Sequence, residues 1–120
     1  MKVGYVVLYI KDAELCRKFW LEQVGMVEKN VTQAGPFKIS KVGFANQDFA
    51  FELVPLDLMK DNPYQLNLGT PSICFFVDNL EATRTRLVQK GVTVTEISDH
   101  AGKPSFAFSD PEERWFAVSL

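Results

Sequence analysis

Residues 6–25 read VVLYIKDAELCRKFWLEQVG, and residues 73–91 read ICFFVDNLEATRTRLVQKG. Each stretch is an apolar strand-like run, an Asp or Asn start signal, and a helix-like run closed by glycine. Ile10 aligns with Val77, Asp12 with Asn79, Glu14 with Glu81 and Arg17 with Arg84, all 67 positions apart; the register slips by one between Gly25 and Gly91. A repeat of this size implies two copies of one supersecondary unit.

The residues flanking each stretch complete the unit. Residues 2–10 are rich in β-branched and aromatic side chains and predict a strand. Asp12 is a good N-cap, and Leu15, Phe19 and Val24 give helical spacing for a buried stripe. Strands are then expected over 26–32, 37–44 and 48–54, with Gly35-Pro36 as a turn signal. Residues 56–71 carry Pro63, Gly69 and Pro71 and predict a linker. In the second copy a strand is expected over 72–77, and Asn79 caps a helix reaching about Lys90 with Leu80, Leu87 and Val88 as its buried stripe. Strands are expected again over 92–97, 104–109 and 114–120, with His100 in the loop between the first two. The expected organisation is one α+β domain over 1–120: a strand-helix-strand-strand-strand module over 1–55, a linker over 56–71, and a second such module over 72–120.

Composition bounds the function. The chain has 120 residues, 47% hydrophobic and 23% charged, with a net charge of −2. That supplies a real core, and no basic patch of the kind nucleic acid demands is concentrated anywhere. No apolar run approaches the ~20 residues of a bilayer span. The short apolar N-terminus meets charge at once and lacks a cleavage pattern. Nucleic-acid and membrane partners are therefore not expected, and the cytoplasm is the expected location. Cys16 and Cys74 show no CxxC spacing and are expected to be reduced and structural.

Side chains two apart share a sheet face. Val6, Leu8 and Ile10 form a uniformly aliphatic set, and Phe49 with Phe51 and Leu53, Ile73 with Phe75 and Val77, and Phe116 with Val118 and Leu120 form plain apolar ones. The opposite sets are mixed: Tyr5, Val7 and Tyr9; Ala50, Glu52 and Val54; Ser72, Cys74 and Phe76; Trp115, Ala117 and Ser119. Aromatic rings, small residues and one carboxylate on a shared face suit a ligand cavity.

The segments VVLYIKDAELCRKFWLEQVGM, FAFELVPLD, ICFFVDNLEATRTRLVQKGV and FAFSDPEERWFAVSL, in this order and spacing, resemble the vicinal oxygen chelate superfamily. That group includes glyoxalases, bleomycin-resistance proteins, fosfomycin-resistance enzymes and extradiol dioxygenases. The resemblance covers essentially the whole chain. It implies two tandem βαβββ modules forming a curved, cup-like mixed sheet, usually within a homodimer. In metal-dependent members the ligands sit on the cup face of four strands, at places that fall here on Tyr5, Glu52, Ser72 and Ala117. Only Glu52 is a strong donor; a phenol and a hydroxyl are weak, and Ala117 cannot coordinate. No cofactor is therefore expected, a divalent metal being the alternative.

The resemblance thus implies a metal-free, bleomycin-resistance-like protein that binds a small, aromatic or apolar-plus-polar molecule, with an antibiotic as the family precedent. Ligand contacts are expected from Tyr5, Tyr9, Glu52, Ser72, Phe76, His100, Trp115 and Ala117. The alternative is a glyoxalase-type lyase or isomerase with Glu52 as catalytic general base. Glu52 is equally readable as a carboxylate paired with Arg114, Lys38 or Lys41. His100 stands as a ligand contact or as an exposed loop residue. The aromatic set could instead fill the cup or pack at a dimer interface, and Met59 and Tyr64 could cover its mouth or merely anchor the linker.

Overall fold

The structure, a computed structural model, describes residues 1–120. In chain order it comprises β1 (Val6–Ile10), α1 (Ala13–Lys18) running into a π-helical segment (Phe19–Val24), β2 (Val27–Ala34), β3 (Phe37–Gly43), β4 (Phe51–Pro55), a 3₁₀ turn (Leu56–Met59), β5 (Cys74–Phe76), α2 (Leu80–Gln89), β6 (Thr93–Val94), β7 (Ser98–His100), β8 (Lys103–Ser109) and β9 (Trp115–Ser119). The fold is mixed α+β, and the chain divides into two compact units, Met1–Thr70 and Pro71–Leu120. No helix is long and apolar enough to cross a membrane.

Each unit carries its own mixed sheet. The first has the order β1-β4-β3-β2 and the second β5-β9-β8-β6, with β7 also on β8. The repeat is written into the ladders. β1 runs parallel to β4 with Val7 opposite Glu52, and β5 runs parallel to β9 with Cys74 opposite Ala117. Val7 and Cys74 are 67 positions apart, the same offset that relates the two helical stretches.

In the first unit, Asp12 Oδ1 accepts from the Leu15 N–H at 3.1 Å, which starts α1 as expected. The buried stripe differs from the expected one. Phe19 and Val24 are buried as expected, but Leu15 is half-exposed, and Cys16 and Trp20 complete the stripe in its place. The π-helical segment explains the shift: its wider turn brings residues five apart, Phe19 and Val24, onto one side. Gly25, at φ 96°, closes it with its N–H donating to the Trp20 carbonyl. Trp20 then packs with Phe19 at 5.1 Å and Phe51 at 5.0 Å between ring centres, over buried Leu8, Ile10, Val42 and Leu53.

In the second unit, Asn79 Oδ1 accepts from the Ala82 N–H at 3.0 Å, and Gly91, at φ 81°, lies just past the helix end. Leu80 and Leu87 are buried as expected, but Val88 is exposed. Phe108 and Phe116 stack at 5.5 Å over the core face. The expected strand over 92–97 is also corrected. It is interrupted after Val94, because Thr95 Oγ1 accepts the Ala107 N–H at 2.9 Å in place of a backbone carbonyl. The ladder then resumes as β7, so His100 lies in a strand rather than a loop, opposite Lys103. Ala101 and Gly102, at φ 54° and 80°, form the two-residue turn between them, and positive φ at both positions is what a tight hairpin of this hand requires.

A buried charge cluster sets the final turn. Asp110 Oδ1 accepts from the Glu112 and Arg114 N–H groups, both at 2.9 Å. Arg114 Nη1 donates to Asp110 Oδ2 at 2.9 Å, and Nη2 to Glu112 Oε1 at 3.1 Å. Burial alone would push the Arg114 guanidinium down, but Asp110 and then Glu112 outweigh it and hold it above its ordinary value. Arg114 is thereby committed to this turn rather than to Glu52.

Candidate ligand-binding faces

The first unit gathers three expected site residues, Tyr5, Tyr9 and Glu52, with a fourth that matters more than the sequence indicated. Lys41 stands opposite Glu52 in the antiparallel β3–β4 ladder, and Glu52 opposite Val7 in the parallel β1–β4 ladder. Cross-strand partners point to the same side, so Lys41, Glu52 and Val7 share the face away from Phe51 and Leu53. Lys41 Nζ lies 3.8 Å from Glu52 Oε2 and 4.1 Å from the centre of the Tyr5 ring. The ammonium is thus held by a carboxylate and a π-face together. Tyr5 precedes the first strand rather than lying within it. Tyr9 is half-buried, in register with Val54.

The second unit holds Ser72, Phe76, His100, Trp115 and Ala117. Ala117 stands between Cys74 on β5 and Ala107 on β8. Ser119 stands in the same way between Phe76 and Ser105, and Ser105 faces Ser98 on β7. Two facing alanines leave the middle of this sheet face without side-chain bulk. A hollow of about 480 Å³ results, lined by Thr95, Glu96, Ser98, His100, Ser105, Phe106, Ala107 and Ala117. Ser98 Oγ and His100 Nε2 are 3.2 Å apart across its rim.

Of the expected contacts, His100 and Ala117 line this hollow. Ser72 is exposed outside its lining, as are Phe76 and Trp115, at 80% and 49%. Ser98, Ser105 and Thr95 are lining residues that sequence reasoning missed. Hydroxyls at 95, 98, 105 and 109 follow no strand alternation in the sequence, and their grouping came only from the pairing of β7 with β8. The two cysteines form no disulfide; Cys16 is buried and Cys74 exposed, with Cys74 Sγ 3.5 Å from Ser119 Oγ.

The four positions that the resemblance assigns to metal ligands present one carboxylate, one phenol, one hydroxyl and one methyl group. The carboxylate already faces the Lys41 ammonium, and the phenol ring lies beside that same charge. A divalent cation needs several converging N or O donors, and a fixed ammonium beside the strongest donor repels it. No group of three or more His, Cys, Asp and Glu side chains is placed to hold a metal ion. This donor set does not fit the family's divalent ion.

Known proteins resemble this chain in sequence and in fold. The family model described as "Glyoxalase/Bleomycin resistance protein/Dioxygenase superfamily" matches residues 2–118. A protein of Bacillus subtilis (strain 168), YurT, described as uncharacterized, is 27% identical over 115 residues, covering 92% of this chain and 91% of its own. A superfamily member from Sphaerobacter thermophilus DSM 20745 superposes with a TM-score of 0.82 at 18% identity, over 99% of this chain and 96% of that one. TnmS3, an antibiotic binding protein from Streptomyces sp. CB03234, superposes with a TM-score of 0.81 at 19% identity, over 99% and 94%. These superpositions establish a shared fold.

Proposed function

The chain belongs to the glyoxalase/bleomycin resistance protein/dioxygenase superfamily, and on that premise we propose that it binds a small, aromatic or apolar-plus-polar molecule without the divalent metal its enzymatic relatives use. The observation that carries this reading is the hollow of about 480 Å³ over Ala107 and Ala117. Its size falls within the range of roughly 300–1,000 Å³ in which small-molecule sites lie. Its lining combines alanine methyls with hydroxyls, one imidazole and the Glu96 carboxylate, which suits a ligand with an apolar body and a few polar groups. The exposed rings of Phe76 and Trp115 on the same unit offer stacking surfaces. The description of TnmS3 as an antibiotic binding protein supports binding rather than turnover as the role. The engagement of Glu52 by Lys41 supports a metal-free site.

The test is a thermal-shift screen of the purified protein against planar aromatic compounds, run with and without a chelator. A native-state ligand raises the melting temperature by mass action. A response that survives chelation is expected; one that chelation abolishes sinks the metal-free reading. The same reading takes the protein to act in the cytoplasm as a homodimer, which cell fractionation and sedimentation check.

A further inference from the structure

We propose that Lys41 is a specificity-determining residue, selecting planar aromatic ligands that carry an anionic oxygen over their neutral isosteres. The inference rests on the reading that the protein binds small molecules, and assigns the first unit's mixed face a ligand contact of its own in addition to the hollow of the second unit.

An ammonium group carries three N–H donors. Lys41 Nζ is 3.8 Å from Glu52 Oε2, beyond hydrogen-bond length, so the pair is held by charge alone. Its contact with Tyr5 is with the ring face, 4.1 Å to the centre. Neither neighbour takes an N–H in a conventional hydrogen bond. The Lys41 side chain is 29% exposed and can be reached from solvent. Lys38, three residues earlier, alternates to the other side of β3, where its charge acts on Glu28. Lys41, the Tyr5 ring and the Glu52 carboxylate therefore meet on this patch, with Asn30 opposite Lys41 on β2.

A ligand oxygen that reached the Lys41 ammonium would sit about 3 Å from it and farther from Glu52. Attraction falls with distance, so the nearer charge wins. Glu52 weakens the preference without reversing it, and Tyr5 supplies the surface for the aromatic body.

Titration of the protein with 2-naphthoate and with its neutral isostere 2-naphthamide separates the terms. About tenfold tighter binding of the naphthoate is expected. Lys41→Met should abolish that preference, Lys41→Arg should retain it, and Glu52→Gln should enlarge it. Lys41→Gln replaces Lys41→Met if the latter fails to fold. Equal binding of the two compounds, tighter binding of the amide, binding of neither while the wider screen responds, or a preference that survives loss of the ammonium overturns the inference and leaves the binding reading standing. If neither compound binds and the wider aromatic screen is also silent, the binding reading falls and the inference with it.

Discussion

Lys41 and Glu52 form an ion pair across one rung of the β3–β4 ladder, Nζ to Oε2 at 3.8 Å. Strand register, not chain proximity, creates it: the residues are eleven apart in sequence. The pair occupies the place where a metalloenzyme of this family would need a free carboxylate.

Its energetic worth should be modest. The two side chains are partly exposed, so solvent screens the pair. A double-mutant cycle of Lys41→Met and Glu52→Gln should give a coupling of about 0.5 kcal/mol, shrinking as salt is added. Urea unfolding of the four proteins measures it. A coupling that salt leaves unchanged would show a buried pair instead.

Asp110 should matter far more to stability. Its side chain is fully buried and satisfies two backbone N–H groups as well as Arg114. Asp110→Ala leaves the largely buried Arg114 with Glu112 alone and deprives two backbone N–H groups of their acceptor, and should cost about 3 kcal/mol. Asp110→Asn keeps an acceptor for the turn and should cost less. Chemical denaturation of both variants checks the order.

Acid sensitivity should trace in part to Glu28. The Arg17 Nε–H donates to Glu28 Oε2 at 2.6 Å. This hydrogen bond holds the Glu28 carboxyl below its ordinary 4.5, against burial, which pushes it up. A carboxyl lowered in the folded state stabilises fully above its unfolded pKa, and the gain is lost as pH falls through the folded value. Glu28→Gln should therefore lose about 1 kcal/mol at pH 7 and little at pH 3. Urea midpoints at the two pH values decide it.

Gly43 should refuse a side chain. It ends β3, and a Cβ there would run into the Phe49 backbone carbonyl, which is not free to swing away like a side-chain tip. Gly43→Ala should destabilise by about 2 kcal/mol or more through forced backbone movement. Gly4→Ala, where a Cβ meets open space, is the control and should be near neutral.

Ala117→Phe should block the hollow. Ala117 lines it between Cys74 and Ala107, and a ring there would fill space the ligand needs. The thermal response to a compound that seats in the hollow should be lost while circular dichroism stays unchanged. A retained response would move the site elsewhere.

Much of the fold was legible in residue order. Asp12 and Asn79 cap their helices as their chemistry dictates. The sets Leu8 with Ile10, Phe51 with Leu53, and Phe116 with Val118 are buried as period-two alternation requires. Leu15 and Val88 were misplaced because a stripe drawn at 3.6 residues per turn takes no account of the π-helical widening after Lys18 or of which side of α2 meets its sheet. β7 was missed because Ala101-Gly102 is a weaker hairpin signal than Asn-Gly or Asp-Gly.

The sequence by itself determined the duplicated module, its caps, its core faces and the donor chemistry available at Tyr5, Glu52, Ser72 and Ala117. These depend on neighbours within a few residues and on side-chain identity. Only the tertiary structure decided that Lys41, rather than Arg114 or Lys38, stands beside Glu52, and that Ala107 meets Ala117 under a hollow bordered by His100. Such partnerships depend on the register between strands distant in the chain, where a slip of one residue sends every side chain to the opposite face.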